Sequence, residues 1–216
     1  MRYTAIAIAL SCAASACTAP RTTGGLSVVS SDVPEPAWRT TIVQEDAAVL
    51  DTIGDLWRRH LTTARRASAR QIDAEGALLA ADAALEQPEL PPGSYNCRVV
   101  RLGARAGPRR LRSFPPFFCY VKGEAEGERS FTKQTGSDLP SGWLYPDGAS
   151  RYIFLGARQH GAGANDLRYG TDRARDLFGV VERVGPFRWR MALPTRGGDG
   201  IDVYELTPVP VEQQPA

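Results

Sequence analysis

Five charged residues are the first candidates for chemistry, because they lie on predicted β-strands among apolar neighbours. Glu182 and Glu205 each follow a valine by two positions, and alternate side chains of a strand point to the same face. Arg101 and Lys133 likewise share a face with apolar residues of their own strands, whereas Arg98 points to the other side of the first strand. We therefore expect both glutamates, Arg101 and Lys133 to point into an apolar interior.

A buried charge is costly unless it is paired or hydrated, so three interpretations are open. The charges form a closed ion-pair network that fixes the fold, and the outer surface contacts an envelope partner protein. Alternatively, the two glutamates and one or more of Arg98, Arg101 and Lys133 form the polar floor of a small-ligand pocket. In the third interpretation, Glu182 and Glu205 act as an acid–base pair.

The inward position of Glu182 depends on a turn. With Gly185 and Pro186 as the connection between two strands, Glu182 shares a face with Trp189 and Met191. A register shift of one residue would turn this carboxylate to the opposite face.

Other residue types indicate no catalysis. His60 stands in a predicted helix and His160 in a glycine-rich loop, and neither has metal-ligand spacing with another residue. We find no nucleophile motif and no complete phosphate-binding loop. The sequence therefore predicts a protein without metal or cofactor that is not an enzyme.

The first 17 residues predict export. Arg2, an apolar run and Ala14-Ser15-Ala16 precede Cys17, which is the pattern of a signal peptide. The run is shorter than the roughly 20 residues that span a bilayer. Cys17 after the cleavage site favours lipid attachment over simple secretion or a buried N-terminal helix.

The residue after Cys17 indicates where the anchored protein resides. Thr18, rather than aspartate, follows the cysteine, which favours the periplasmic face of the outer membrane. Without the anchor, the protein would be periplasmic.

Cys97 and Cys119 remain after processing, because Cys12 leaves with the signal peptide. In an oxidising compartment such a pair is expected to form a disulfide. We expect it to join neighbouring strands.

The charge composition argues against a nucleic-acid partner. The chain has 26 basic and 24 acidic residues, a net charge of +2. The bases are scattered among acids and form no continuous basic stripe.

Helical periodicity predicts the elements before residue 93. Apolar residues from Val49 to Leu61 recur at three-and-four spacing. A second helical segment runs from Ile72 to Leu85, and we expect a break between the two helices near Ser68.

After Gly93, short β-branched and aromatic runs are separated by glycine, proline and aspartate. They predict strands at 94–102, 117–123, 128–134, 142–145, 151–157, 178–184, 187–193 and 201–207. The fold class is therefore α+β, with an N-terminal helical hairpin packed on a small antiparallel β-barrel or strongly curved sheet of seven to eight strands.

The chain divides into a signal peptide (1–16), the lipidated cysteine and a flexible tether (17–37), and one domain. This domain comprises a helical segment (38–92) and an antiparallel β body (93–207), and a loose tail (208–216) follows. About 170 residues are enough to bury a sizeable core.

A resemblance extends over roughly residues 38–208. It is carried by Gly93–Arg98, Leu102–Gly103, Lys133–Ser137, Leu144–Pro146, Phe154–Gly156, Tyr169–Arg173, Gly179–Gly185, Arg188–Arg190 and Glu205–Leu206. In these segments the chain resembles a family of small exported bacterial proteins known as a domain of unknown function, number forty-eight ninety-three. The resemblance implies no activity, since the family has none assigned.

Overall fold

The computed structural model describes residues 35–124, 128–136, 139–161 and 167–213. In these residues, helices come first and a closed antiparallel β-barrel of eight strands follows, with one extra strand. The predicted α+β class is confirmed. The predicted signal peptide, Cys17 and the tether up to residue 34 lie outside the described residues.

A helical layer precedes the barrel. It consists of α1 (Ala37–Thr41), α2 (Gln44–Asp51), α3 (Ile53–Glu75) and the 3₁₀ turn Gly76–Leu78. Within α3, Ser68 leaves helical geometry (φ −141°, ψ 27°), so the predicted break is a kink in one long helix. The Ser68 hydroxyl donates a hydrogen bond to the Arg109 carbonyl at 3.2 Å.

The long helix ends earlier than predicted. Gly76 adopts φ 54°, a left-handed conformation that glycine tolerates at a helix C-terminus. The predicted second helix up to Leu85 is therefore too long. Leu85 is exposed and pairs with Arg183 in an isolated antiparallel bridge.

The structure has nine strands in the described residues, and the last strand pairs with the first. They are β1 (Gly93–Gly103), β2 (Leu111–Ser113), β3 (Phe117–Gly123), β4 (Arg129–Lys133), β5 (Pro140–Asp147), β6 (Arg151–Arg158), β7 (Asp176–Gly185), β8 (Arg188–Pro194) and β9 (Gly200–Pro208). The eight predicted strands are present. Strand β2 was not predicted, because its three residues are too few to show an alternating pattern.

Pairing of β1 with β9 closes the barrel. β9 pairs with β1 from Tyr95 to Gly103 along one edge. On the other edge, β3 pairs with the first half of β1 and β2 with the second half. The barrel therefore consists of β1 and β3–β9. The extra strand β2 pairs with the second half of β1, which β3 does not reach.

Large side chains fill the barrel interior, as expected for eight strands. Edge-to-face ring pairs join Tyr95 to Trp189 at 6.2 Å and Phe131 to Phe154 at 6.0 Å. The other buried members include Val99, Val121, Leu144, Val181, Met191, Leu193, Tyr204 and Leu206.

A disulfide between Cys97 and Cys119 belongs to this interior, and the prediction is confirmed. Their Cα atoms are 6.1 Å apart. Cys119 lies opposite Tyr95, and Cys97 lies opposite Phe117. The disulfide therefore links β1 and β3 diagonally across one face.

A second core lies between the barrel and the helical layer. Trp38, Leu50 and Trp57 pack there against outward-facing residues of β1 and β6–β9. These strands are consequently buried on both faces, a condition under which alternation does not mark an inner and an outer side.

The two ends of the barrel differ. The base, where β1 begins, is closed by residues 88–92: the Pro88 carbonyl accepts a hydrogen bond from Trp189, and Leu90 is buried. The chain beyond Pro208 also packs there, since Val209 is buried and its amide donates to the Ser94 carbonyl. The predicted loose tail therefore begins too early. The opposite end, where β1 finishes and β9 starts, is called the mouth.

Candidate functional site

The predicted inward position of Glu182 in the barrel is wrong. The register shifts between Arg183 and Gly185, so that Arg183 lies opposite Trp189 and Glu182 lies opposite Arg190. Cross-strand partners share a face, and Trp189 is in the barrel interior. Glu182 consequently lies on the outer face, beneath the helical layer.

Glu182 belongs to a row of alternating charges that crosses six strands, which we call the charge ladder. Directly paired positions give the order Arg98, Glu205, Arg190, Glu182, Arg151, Asp147 on β1, β9, β8, β7, β6 and β5. Opposite charges at paired positions stabilise a sheet, whereas like charges destabilise it. A one-residue slip of any of these strands would break the alternation, so the ladder specifies the register.

Arg190 at the centre of the ladder also holds the helical layer. Its side chain is 1% exposed and binds Glu182 at 2.7 Å. Four carbonyl oxygens between residues 77 and 81 accept hydrogen bonds from it at 2.5–3.4 Å. Its guanidinium lies 4.5 Å from the Trp57 ring centroid. The charge is therefore compensated by protein groups on every side.

Glu205 is the second residue of the charge ladder that attaches the helical layer to the barrel. Its carboxylate accepts hydrogen bonds from Arg98 and Arg188. Arg98 also binds the carboxylate of Glu75, the last residue of α3. The two glutamates hold the pKa of Arg98 above its ordinary value, although burial opposes the shift. At the end of the ladder, Asp147 accepts a hydrogen bond from the Trp38 indole at 3.0 Å.

A separate cluster attaches α2 to the loop before β7. The Asp46 carboxylate accepts hydrogen bonds from Tyr169 and Arg173. Burial acts to raise the pKa of Asp46, but the hydrogen bonds from Arg173 and Tyr169 outweigh it and hold this pKa below 3.8. Burial, followed by the hydrogen bond to Asp46, raises the pKa of Tyr169 to about 12.

Arg101 and Lys133 lie inside the barrel, in contrast to Arg98, Glu182 and Glu205. Arg101 binds both carboxylate oxygens of Asp202 at 2.5 and 2.6 Å. The Lys133 ammonium lies 4.1 Å from the Phe117 ring centroid. The structure therefore divides the predicted polar interior into an outer group and an inner group at the mouth.

Two adjoining recesses open at the mouth and share Arg101, Asp202 and Tyr204. The first has a volume of about 270 Å³ and is lined by arginines, including Arg158 and Arg196; we call it the arginine recess. The second has a volume of about 300 Å³ and is lined by Lys133, Val99 and residues 114–117; we call it the aromatic recess.

Comparison with known proteins identifies the family of this chain. Residues 38–206 match the family model described as Domain of unknown function (DUF4893). This chain belongs to that family. No curated protein and no solved structure gives a significant match. The segments that carried the resemblance contribute Glu182 and Arg190 to the charge ladder and Lys133 to the mouth.

Sequence reasoning missed Asp202, Arg158 and Arg196 of the mouth. The sequence does contain a pattern that could have identified Asp202 as an inward residue. Asp202 alternates with Tyr204 and Leu206, just as Glu205 alternates with Val203. Both faces of β9 are buried, so the alternation alone did not say which set lies inside the barrel.

The two histidines lie apart from these residues. His60 Nε2 is 3.1 Å from the Gly198 carbonyl oxygen, and His160 is exposed. Among the described residues, no three His, Cys, Asp or Glu side chains come together as a metal site.

In the part of the chain that the structure describes, none of the helices has the length and apolar character required to cross a membrane.

Proposed function

We propose that this protein is a non-catalytic envelope module that binds a partner protein, held at the periplasmic face of the outer membrane by a lipid on Cys17. The observation that carries the binding role is the outer face of β3, β4 and the start of β5, whereas the end of β5 contacts the helical layer through Asp147 and Trp38. On this outer face, Phe118 is 51% exposed and Tyr120 is 38% exposed. Large exposed aromatic residues that lie together commonly mark an interaction surface.

This aromatic face has the shape and composition of a protein-binding surface. A groove of about 500 Å³ runs along it, lined by Tyr120, Thr132, Ser141 and Trp143, with residues 167–169 as one wall. The Thr132 and Ser141 hydroxyls are within 3.0 Å of each other. Aromatic residues are enriched in protein interfaces, and in antibody paratopes small hydroxyl-bearing residues beside them supply hydrogen bonding.

The charge ladder supports a role without catalysis. An acid–base pair needs two groups that reach a substrate, but the Glu182 and Glu205 carboxylates are each bound by arginine beneath the helical layer. Both side chains are 14% exposed. These carboxylates stabilise the attachment of helices to the barrel.

Two observations support the envelope location. The first 17 residues have the pattern of a signal peptide followed by a lipid-accepting cysteine. The disulfide between Cys97 and Cys119 is of a kind that persists in oxidising compartments. Neither observation depends on the aromatic face, so location and binding role are tested separately.

Site-specific photo-crosslinking in living cells tests the binding role. A photoreactive phenylalanine analogue is placed at Tyr120 and, as a control, at Arg66, an exposed position on α3. We expect a single discrete protein adduct from position 120 that position 66 does not give. Phe118→Asp is expected to abolish the adduct, and Arg66→Asp to leave it unchanged. No adduct from position 120, or an adduct that survives Phe118→Asp, would reject this surface.

A further inference from the structure

We propose that the mouth of the barrel binds a small organic anion, with a phosphate or carboxylate head in the arginine recess and an apolar body in the aromatic recess. This site lies inside the barrel, away from the aromatic face of β3–β5. It is therefore a second binding function, independent of the partner protein proposed above.

The arginine recess has an excess of positive charge among the described residues that line it. Arg101, Arg105, Arg158 and Arg196 face two carboxylates, Asp176 and Asp202. Guanidinium groups present planar forks of N–H donors that match phosphate and carboxylate oxygens. A recess with low-dielectric walls concentrates this positive potential and attracts anions.

Both carboxylates of this recess are already engaged by protein groups. Asp202 is held by Arg101 in a two-point contact. Asp176 accepts hydrogen bonds from Arg173 at 2.9 Å and from the Gly170 amide at 2.8 Å. These contacts hold the two acids in place, and Arg105 and Arg196 at exposed positions of the rim add positive charge to the recess.

The aromatic recess supplies a site for an apolar group beside this charge. Phe114, Pro115, Pro116 and Phe117 line it. The Phe117 ring packs edge to face on Tyr204 at 6.0 Å, so the wall is held in place by the barrel interior. Rings of this kind bind flat apolar groups.

The two recesses adjoin, so one ligand could place its charged group in the first and its apolar group in the second. The Arg101 guanidinium lies at their shared boundary and is 5.1 Å from the Phe114 ring centroid. Volumes of about 270 and 300 Å³ suit a head group and a single ring, at the lower end of ligand pockets.

Isothermal titration of the purified protein with four probes tests the proposal. Phenyl phosphate and benzoate carry the two head groups, inorganic phosphate lacks the apolar body, and phenol lacks the charge. We expect phenyl phosphate or benzoate to bind at least about tenfold more tightly than inorganic phosphate, and phenol not to bind. The stronger of the two identifies the head group. If inorganic phosphate bound as tightly as the stronger of the two aromatic anions, or if neither aromatic anion bound, the proposal would be overturned.

Two variants separate the recesses. Phe114→Ala is expected to weaken the aromatic anion about tenfold and to leave inorganic phosphate unchanged. Arg196→Gln, at an exposed position of the rim, is expected to weaken both by about threefold, and less at high salt. Arg66→Gln is the matched control. Equal affinities of wild type and Arg196→Gln at low salt would also overturn the proposal, even if Phe114→Ala failed to fold.

Discussion

Replacement of Arg190 by methionine should destabilise this protein more than the replacement of its partner Glu182 by glutamine. The methionine keeps much of the apolar stem of Arg190 but removes every donor and the guanidinium that lies over the Trp57 ring. Glu182 then loses its buried counter-charge, and four carbonyls at the end of the helical layer lose their hydrogen bonds. Removal of one partner from a buried ion pair costs about 3–5 kcal/mol, and we expect about 4 kcal/mol here.

Glu182→Gln is the informative comparison. Arg190 keeps its four carbonyl acceptors, and the glutamine side-chain oxygen still accepts one hydrogen bond. The cation is therefore not left uncompensated, and we expect a loss of only about 1–2 kcal/mol. Without the carbonyls, the two substitutions would be equally harmful, so the difference between them measures the contribution of the helix–barrel attachment.

Urea unfolding followed by tryptophan fluorescence, with the disulfide intact, measures these free energies. Equal slopes against urea are required for a valid comparison. Arg65→Met is the matched control, because Arg65 pairs with Asp73 at 2.7 Å but is 52% exposed, and it should cost less than about 0.5 kcal/mol. If Glu182→Gln cost as much as Arg190→Met, or if Arg190→Met cost no more than the Arg65 control, the ladder would not hold the helices as argued.

Three further predictions concern other parts of the chain. Because the folded pKa of Asp46 lies below 3.8, its carboxylate contributes stability above about pH 4 that is lost at lower pH. The free-energy difference between wild type and Asp46→Asn, from urea melts, should therefore shrink from about pH 7 to about pH 3; a constant difference would contradict this. The double change of Cys97 and Cys119 to alanine should cost about 3 kcal/mol, and free thiols in the wild type under non-reducing mass spectrometry would contradict the disulfide. Cys17→Ser should move the protein from the membrane fraction to the soluble periplasm, and an unlipidated, soluble wild type would refute the anchor.

Much of the fold could be predicted from the sequence because it is encoded locally. Strand β3 was predicted with its observed bounds, 117–123, since a short run of aromatic and β-branched residues bounded by prolines and a glycine is a strand signal. The break near Ser68 was predicted for a similarly local reason, whereas the disulfide was predicted because Cys97 and Cys119 are the two cysteines that remain after processing. The helix end at Gly76 was missed, because small residues after it continue a helical composition.

The candidate site shows what the sequence by itself determined and what only the tertiary structure decided. The sequence determined that Glu182, Glu205, Arg101 and Lys133 would be buried and need partners, because alternation with apolar residues is a property of each strand alone. The tertiary structure decided which face of the barrel each one occupies. A register shift at Arg183 and a helical layer over one side placed the glutamates under the helices, while Arg101 and Lys133 remained at the mouth. Partners lie far apart in the chain: Arg98 and Glu205 are separated by 107 residues, and only closure of the barrel brings these two groups together.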